Sequence, residues 1–358
     1  MKLAFVTQEI DPAHPALGQT IDLVGALAAR CDELALVTRF VRAPLPGNVV
    51  ARTFEASSRP GRVLAFERAV APAVSGADAV LVHMVPQFAL LAAPIARARR
   101  VPLLLWYTHW YASRALRLAT RIVDAGLSVD PSSYPVASPK VHGIGHAIDV
   151  RTFDGEPPQP HDGPLRLLAL GRTARWKGLA TLLDAVALCE RPVELEIRGP
   201  SLTDDERAHR QELERRIGDG ALPVSLAGPV DRGEVPSLLA AADAVVSPNE
   251  PRSGATLDKA VFEAAACARP VVSTNAAFEP LLGRLPVPLI APPRDPAGLA
   301  AVVDALAAAP PEARAAAGAE LRRRVVAGHS LDHWADEVIR VVREVRSARA
   351  TAGSSSAG

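Results

Sequence analysis

Two basic side chains, Arg172 and Lys177, follow a predicted buried strand at a spacing suited to binding phosphate. The apolar residues 165–170 predict this strand, which ends at Gly171, and a helical pattern begins near Gly178. Open α/β sheets bind ligands just beyond the carboxyl ends of their strands. Arginine and lysine in that position favour a phosphate or diphosphate. The alternative is an ordinary strand-to-helix turn with solvated basic residues.

A second polar segment follows another predicted buried strand, which ends at Pro248. Small polar residues at 253–256 lead into a helix that begins near Asp258 and carries Glu263. Free backbone N–H groups at such a helix start bind anions. The neighbours of Glu263 are apolar, and a carboxylate there is costly unless it is hydrogen-bonded. A ribose diol would supply two donors, whereas the alternative is a helix carboxylate that faces solvent.

Short apolar runs alternate with helical patterns along the chain, which predicts parallel sheets with right-handed crossovers. In the first half, strands are predicted at residues 2–7, 33–38, 79–83, 101–107 and 123–128, with a helix at 20–30. In the second half, strands are predicted at 165–170, 193–198, 223–226, 244–247, 270–273 and 288–291. Helices are predicted there at 179–189, 204–217, 235–241, 258–267 and 296–307, followed by a helical tail over 311–346.

These elements predict an α/β protein made of two doubly wound, Rossmann-like domains that face a central cleft. The first domain spans residues 1–150 and the second spans 165–330. Residues 151–164 are rich in proline and glycine and are interpreted as a linker. Residues 351–358 are small and polar, so we expect a disordered tail.

Composition argues against several classes of protein. The net charge of +1 does not favour nucleic acid as a partner. The three cysteines show neither a metal-binding spacing nor a disulfide pattern, which fits a reducing cytoplasm. The apolar stretch 77–96 is interrupted by polar residues and proline, so it is not predicted to span a membrane. No dinucleotide fingerprint and no Walker-type loop is present.

Taken together, these segments resemble the donor half of retaining glycosyltransferases with the GT-B fold, family four. The residues that carry this resemblance are Gly171-Arg172, Lys177-Gly178, Ser247-Pro248, Glu263 to Cys267 and Arg269 to Val272. In the first half, the resemblance extends through residues 106–109 and 143–149.

The resemblance implies a role for individual residues. Arg172 and Lys177 would hold the diphosphate of a nucleotide sugar, and Glu263 would hold its ribose. Gly18 would let its loop approach the pyrophosphate from the first domain, which is the acceptor side. His109, which follows the strand at 101–107, would bind a sugar hydroxyl or the charge that develops at the anomeric centre. Backbone N–H groups for the phosphate and sugar would come from a loop of four residues, Thr256, Leu257, Asp258 and Lys259.

One position departs from the family pattern. The family has a second glutamate eight positions before the one matched by Glu263, and that glutamate contacts the transferred sugar. Here Ala255 occupies the position, and Glu250 is the candidate substitute. The departure leaves the identity of the donor sugar open.

The resemblance also implies a mechanism. In a front-face retaining transfer the leaving phosphate accepts the proton of the acceptor, so no strong protein base is needed. The leaving diphosphate is stabilised by Arg172, Lys177 and the helix start at Thr256 to Asp258. Because positive charge is already present and no Asp-x-Asp signature stands at a strand end, we expect a metal-independent enzyme without a cofactor.

Two further helices are informative, the final helix of the chain and the helix that follows His109. The resembled fold implies that the final helix, residues 331–348, crosses back to the first domain, and Trp334 belongs to its apolar stripe. Arg114, Arg117 and Arg121 share one helix face just after an aromatic segment. Such a face can bind a membrane surface or an anionic acceptor. A solvated basic face is the alternative that we favour on sequence grounds.

The sequence therefore predicts a cytoplasmic glycosyltransferase that acts on a nucleotide-diphosphate sugar with retention of configuration. A peripheral position at the inner face of the membrane is compatible with the basic helix. The acceptor would be a sugar, a lipid-linked sugar or a small molecule. One alternative is a nucleotide-sugar epimerase or a phosphorylase on the same fold. Another, motivated by Ala255, is a non-catalytic scaffold or partner subunit.

Overall fold

In the computed structural model of the protein, the structure describes residues 1–14, 17–250 and 257–355. The chain divides into two compact units. Within the described residues, the first unit is built from residues 1–147 and 328–355, and the second from 148–250 and 257–327.

The first unit contains a seven-stranded sheet in the order β3-β2-β1-β4-β5-β6-β7, and all neighbouring strands are parallel. The strands are β1 Lys2–Val6, β2 Glu33–Thr38, β3 Val49–Thr53, β4 Ala79–His83, β5 Leu103–Trp106, β6 Ala125–Ser128 and β7 Val141–Gly143. The helices between them are α1 Thr20–Ala28, α2 Arg59–Val74, α3 Pro86–Ala98 and α4 Arg114–Ile122. The central strands are nearly continuous apolar runs because helices cover both of their faces.

The second unit contains a five-stranded parallel sheet in the order β10-β9-β8-β11-β12. Its strands are β8 Leu165–Leu170, β9 Val193–Arg198, β10 Val224–Ala227, β11 Ala244–Ser247 and β12 Val271–Ser273. Its helices are α5 Leu179–Leu188, α6 Asp204–Asp219, α7 Val235–Ala241, α8 Lys259–Ala266, α9 Glu279–Leu282, α10 Pro296–Ala308 and α11 Pro311–His329.

The last helix, α12 Leu331–Ser355, packs in the first unit. Trp334 is fully buried, and its ring lies 4.7 Å from the ring of Trp106 at the end of β5. The same apolar cluster includes Leu23 and Val24 of α1 and Val338 of α12. The apolar stripe of α12 thus covers one face of the first sheet together with α1.

The structure departs from the predicted elements in several places, and it adds helices α2, α3 and α9, for which no bounds were predicted. The edge strands β3 and β7 were not predicted, because β3 is largely exposed and β7 has only three residues, too few for an apolar run. The strand predicted at 288–291 is wrong: a single bridge joins Ser273 and Ile290, in a segment bounded by prolines. The predicted helical tail is two helices, because Ser330 interrupts it and its hydroxyl accepts a hydrogen bond from the N–H of His333 at 3.2 Å. Finally, α12 continues to Ser355, into the segment expected to be a disordered tail, and residues 356–358 lie outside the described residues.

The proline-rich segment contacts the second unit closely. A Cβ atom on Gly155 would lie 2.8 Å from the carbonyl oxygen of Cys267. The guanidinium of Arg269 donates to the carbonyl of Glu156, and Arg322 donates to the carbonyl of Phe153 at 3.0 Å. Backbone groups of this segment are therefore held by arginine side chains of the second unit.

Candidate functional site

The order of the second sheet creates a crevice between β8 and β11. The chain leaves β8 for β9 on one side and later returns to the other side of β8 with β11. The loops that follow β8 and β11 therefore diverge, which is the arrangement at which open α/β sheets bind ligands. The crevice is lined by Gly171, Arg172, Lys177, Pro248 and Asn249, among others.

Two glycines allow the loop after β8 to pack tightly. Gly178 has a φ of +66°, and a Cβ atom there would lie 1.9 Å from the carbonyl oxygen of Pro248. No L-residue with a side chain fits that position without moving the backbone. At Gly171 a Cβ atom would lie 3.2 Å from Cε of Lys177, so the lysine side chain lies directly over this glycine. The loop thus holds Lys177 against the end of β8.

Lys177 forms an ion pair with Asp258, the residue that precedes α8. The two side chains are only 11% and 20% exposed. The amide of Asn249 donates to the same carboxylate oxygen, Oδ2, at 3.0 Å. Burial alone would raise the pKa of Asp258, but the charge and hydrogen bond of Lys177, with the Asn249 amide, hold the pKa below its usual value. Asp258 is therefore a carboxylate, and Lys177 reaches the crevice with an anionic partner.

Arg172 is the second cation of the crevice, and it pairs with Glu206 of α6. Its side chain is 43% exposed, whereas that of Glu206 is 4% exposed. The second oxygen of Glu206 accepts a hydrogen bond from the N–H of Leu202 at 2.6 Å. Burial would raise the pKa of Glu206, but this N–H and Arg172 lower it overall. The buried Glu206 therefore holds Arg172 in place, while part of the guanidinium remains exposed to solvent.

Helix α8 carries the other predicted donor-binding residues. Lys259 and Glu263 lie one turn apart and form an ion pair at 3.1 Å, with side chains 21% and 13% exposed. Leu257 is half-buried in the loop before the helix. Thr256 and Ala255 lie outside the described residues.

Glu250 is occupied by a different contact. Its carboxylate pairs with the guanidinium of Arg294 at 2.9 Å, and its backbone N–H donates to the carbonyl of Trp176 at 2.8 Å. Glu250 and Trp176 line an open cavity of about 490 Å³ beside the loop after β8. In the described part of the chain, Glu250 thus faces this cavity and Arg294.

Gly18 belongs to the loop between β1 and α1 of the first unit. It is buried, its N–H donates to the carbonyl of His14 at 2.9 Å, and a Cβ atom there would lie 2.6 Å from the carbonyl oxygen of Pro12. The packing of this loop on itself already requires a glycine. Its predicted approach to a pyrophosphate stays a prediction.

His109 lies in the loop after β5 and is exposed. Its Nδ1 accepts a hydrogen bond from the backbone N–H of Tyr111 at 3.2 Å, and its ring stacks on Trp110 at 5.3 Å. In the neutral ring the proton is therefore on Nε2. By contrast, His83 at the end of β4 is buried, and burial lowers its pKa to about 3. His83 is thus a neutral core residue that pairs with the hydroxyl of Thr7 at 2.9 Å.

Three predicted site residues, Arg172, Lys177 and Asp258, converge on one crevice of the second unit. Lys259 and Glu263 follow on α8, whereas Gly18 and His109 belong to the first unit. Two residues that complete the crevice, Glu206 and Asn249, were not identified from the sequence. A signal for Glu206 was present, because Thr203 caps α6 and a glutamate three residues later is typical of a helix start. Asn249 carried no such signal.

Across residues 1–14, 17–250 and 257–355, no group of three or more His, Cys, Asp or Glu side chains is arranged to hold a metal ion. None of the helices in the described part of the chain is long and apolar enough to cross a membrane.

One family model matches part of the second unit. Residues 164–309 match the family model of the glycosyl transferases group 1. No curated protein sequence is significantly similar to the chain.

Solved structures resemble the whole chain. Sucrose-phosphate synthase from Thermosynechococcus elongatus has a TM-score of 0.71 at 19% identity, covering 97% of this chain and 99% of that one. The Anabaena protein HepE in complex with UDP-glucose has a TM-score of 0.70 at 17% identity, covering 98% and 100%. A glycosyltransferase from Rickettsia africae has a TM-score of 0.73 at 14% identity, covering 96% and 98%. The chain therefore has the α/β GT-B fold, with two doubly wound domains, and is similar over residues 164–309 to group 1 glycosyltransferases.

Proposed function

We propose that this protein transfers a sugar from a nucleotide-diphosphate sugar to an acceptor, with retention of anomeric configuration. The observation that carries the proposal is the pair of cations, Arg172 and Lys177, at the point where β8 and β11 separate. The match of residues 164–309 to group 1 glycosyltransferases supports the same reaction class.

The diphosphate would bind to both cations of the crevice. Lys177 has three N–H donors, of which Asp258 needs one, so the others can reach phosphate oxygens. Arg172 is anchored by Glu206 and still 43% exposed, so the rest of its planar guanidinium can take a second oxygen. Both cations also stabilise the charge that develops on the leaving diphosphate.

Glu263 would bind the ribose. Its side chain is 13% exposed and its carboxylate forms an ion pair with Lys259 at 3.1 Å, and its other lone pairs are acceptor sites for the two hydroxyl groups of a ribose diol. The pairing with Lys259 also explains how a carboxylate is stable at this half-buried position.

The proposed transfer proceeds on one face of the sugar. The bond from the anomeric carbon to the diphosphate oxygen breaks while the acceptor oxygen bonds to that carbon from the same side. The acceptor proton passes to the departing phosphate oxygen, so the products are the glycosylated acceptor and a nucleoside diphosphate. We further propose that the Nε2–H of His109 contacts a sugar hydroxyl, since its Nδ1 already accepts from Tyr111.

The donor is the first unknown to test. HepE, which shares the fold, binds UDP-glucose, so uridine diphosphate sugars are the first donors to try. A thermal-shift panel of nucleotide sugars identifies the donor, because a ligand that binds the native state raises the melting temperature by mass action. Anomeric proton signals of the product in NMR then distinguish retention from inversion.

The proposal predicts that Lys177→Ala loses the shift caused by the donor. Arg175→Ala is the matched control, because Arg175 lies in the same loop but pairs with Glu212 of α6 at 3.1 Å. Loss in both variants, or in neither, would refute the assignment of Lys177.

A wild-type protein that binds donors but neither transfers nor hydrolyses them would identify a scaffold instead, and interconversion of the donor sugar would identify an epimerase. Release of a sugar phosphate on addition of inorganic phosphate would identify a phosphorylase.

A further inference from the structure

A basic and apolar surface lies on the first unit, on α4 and at the end of the loop that carries His109. Its members share solvent exposure and a position on α4 or just before it, and we call them the α4 surface: Tyr111, Arg114, Arg117, Leu118 and Arg121. Tyr111 is 55% exposed and Leu118 is 49% exposed. Leu188 and Leu202 are equally exposed elsewhere, so this surface is distinguished by the position of its apolar side chains beside three arginines.

The exposure follows from how α4 is anchored. Leu116, Ala119 and Thr120 are buried against the sheet and α3. At 3.6 residues per turn, this places the three arginines and Leu118 together on the opposite face. The hydroxyl of Ser113 caps the helix by accepting a hydrogen bond from the N–H of Leu116 at 3.0 Å. The surface is therefore presented by a short, well-capped helix.

Tyr111 is held in place by its backbone. The hydroxyl of Tyr107 donates to the carbonyl of Tyr111 at 2.8 Å, and the N–H of Tyr111 donates to His109. The ring of Tyr111 meets Trp110 edge-on at 5.7 Å. The loop thus fixes the backbone of Tyr111 and leaves its aromatic ring in solvent, next to the first turn of α4.

The positive charge of this surface is uncompensated. In the described part of the chain, none of its three arginines lies within ion-pair distance of a carboxylate. Some exposed helical arginines elsewhere are paired with a carboxylate one turn away in their own helix, as in Arg207–Asp204, Arg323–Glu320 and Arg340–Glu337. A face with three unpaired cations and two exposed apolar side chains is complementary to an anionic, partly apolar partner.

We propose that the α4 surface binds the surface of an anionic phospholipid bilayer. The arginines contact lipid phosphates, and Leu118 and the ring of Tyr111 enter the boundary between headgroups and acyl chains. This combination favours a bilayer over a soluble anion, because a soluble anion offers nothing to the apolar side chains. The inference concerns a different surface from the donor crevice and does not depend on the proposed reaction.

Co-sedimentation of the full-length protein with vesicles tests the proposal. We expect binding to vesicles of phosphatidylcholine mixed with phosphatidylglycerol, weak binding to phosphatidylcholine alone, and release by sodium chloride. The triple variant Arg114→Gln, Arg117→Gln, Arg121→Gln should partition roughly 100-fold more weakly, since each cation contributes roughly a five-fold factor near an anionic surface. Replacing the same arginines by lysine should retain binding, and Leu118→Ala should weaken it on anionic vesicles.

A matched control removes the same charge elsewhere. The variant Arg207→Gln, Arg323→Gln, Arg340→Gln also loses three exposed helical cations, and we expect its vesicle binding to equal that of the wild type. Circular dichroism melting curves check that each variant is folded. Equal weakening in both triple variants would show that only net charge matters and would overturn the proposal. The proposal would also be overturned if the wild-type protein did not bind anionic vesicles. If, in addition, the α4 triple variant lost affinity for a soluble acceptor, the surface would be an acceptor site instead.

Discussion

The ion pair between Lys177 and Asp258 should oppose donor binding while it stabilises the fold. Asp258 occupies part of the cation that the proposed diphosphate needs. Replacing Asp258 by asparagine keeps the size of the side chain and removes its charge. We therefore expect Asp258→Asn to destabilise the protein and at the same time to bind the donor more tightly.

The magnitudes follow from burial and distance. The side chains of Lys177 and Asp258 are 11% and 20% exposed, so breaking the pair from one side should cost about 2–4 kcal/mol of the free energy of unfolding. A phosphate that shares Lys177 would lie roughly 5 Å from the carboxylate. Repulsion at that distance is on the order of 1–2 kcal/mol for a partly solvated site, so the loss of Asp258 should tighten donor binding about 5- to 30-fold.

Two measurements on the same variants test the expected loss of stability and the expected gain in donor affinity. Urea denaturation gives the change in the free energy of unfolding, and isothermal titration with the nucleotide diphosphate gives the change in Kd. Lys177→Met is the companion variant, and it should lose both stability and affinity. In the double variant the losses of stability should not add, with a coupling of about 2 kcal/mol. If Asp258→Asn weakens donor binding as much as Lys177→Met does, Asp258 positions the lysine rather than competing for it, and the reasoning fails.

Four further outcomes are expected. Glu263→Gln should weaken the binding of ribonucleotides about tenfold and should weaken the binding of 2′-deoxyribonucleotides much less. If the substitution weakened the binding of both nucleotides equally, Glu263 would have a structural role only. Transfer should survive a chelator, because cations of the chain supply the positive charge, and loss with EDTA that a divalent ion restores would contradict this. Trp334→Ala should lower the free energy of unfolding by about 3–5 kcal/mol. Trp334→Phe should lower it far less, because Nε1 of Trp334 has no hydrogen-bond partner among the described residues. Equal losses in the two variants, measured by urea denaturation, would contradict this expectation. Because Asp258 has a lowered pKa, its stabilising contribution is complete above the ordinary carboxyl value of 3.8 and is lost as pH falls through the folded pKa, so the stability gap between wild type and Asp258→Asn should shrink below about pH 4.

The buried strands were predictable because their signal is local. Strands β2, β4, β8, β9 and β11 have the predicted bounds. Each is a parallel strand of an α/β sheet, so helices cover it and its residues form an apolar or strictly alternating run. The exposed edge strand β3 and the three-residue β7 have no such run, and only pairing with a neighbour makes them strands. A pattern of burial cannot report a strand that is not buried.

The candidates for binding phosphate are evident from local spacing: Gly171, Arg172, Lys177 and Gly178 follow a strand and precede a helix within eight positions. The contacts of these residues depend instead on the packing of distant segments. Lys177 pairs with a residue 81 positions away, and Arg172 with one 34 positions away. Those contacts depend on β8 lying beside both β9 and β11, which is a property of strand order and not of any segment. Local spacing places a charge at a strand end, whereas the packing of distant loops determines which opposite charge meets it and how much water is excluded.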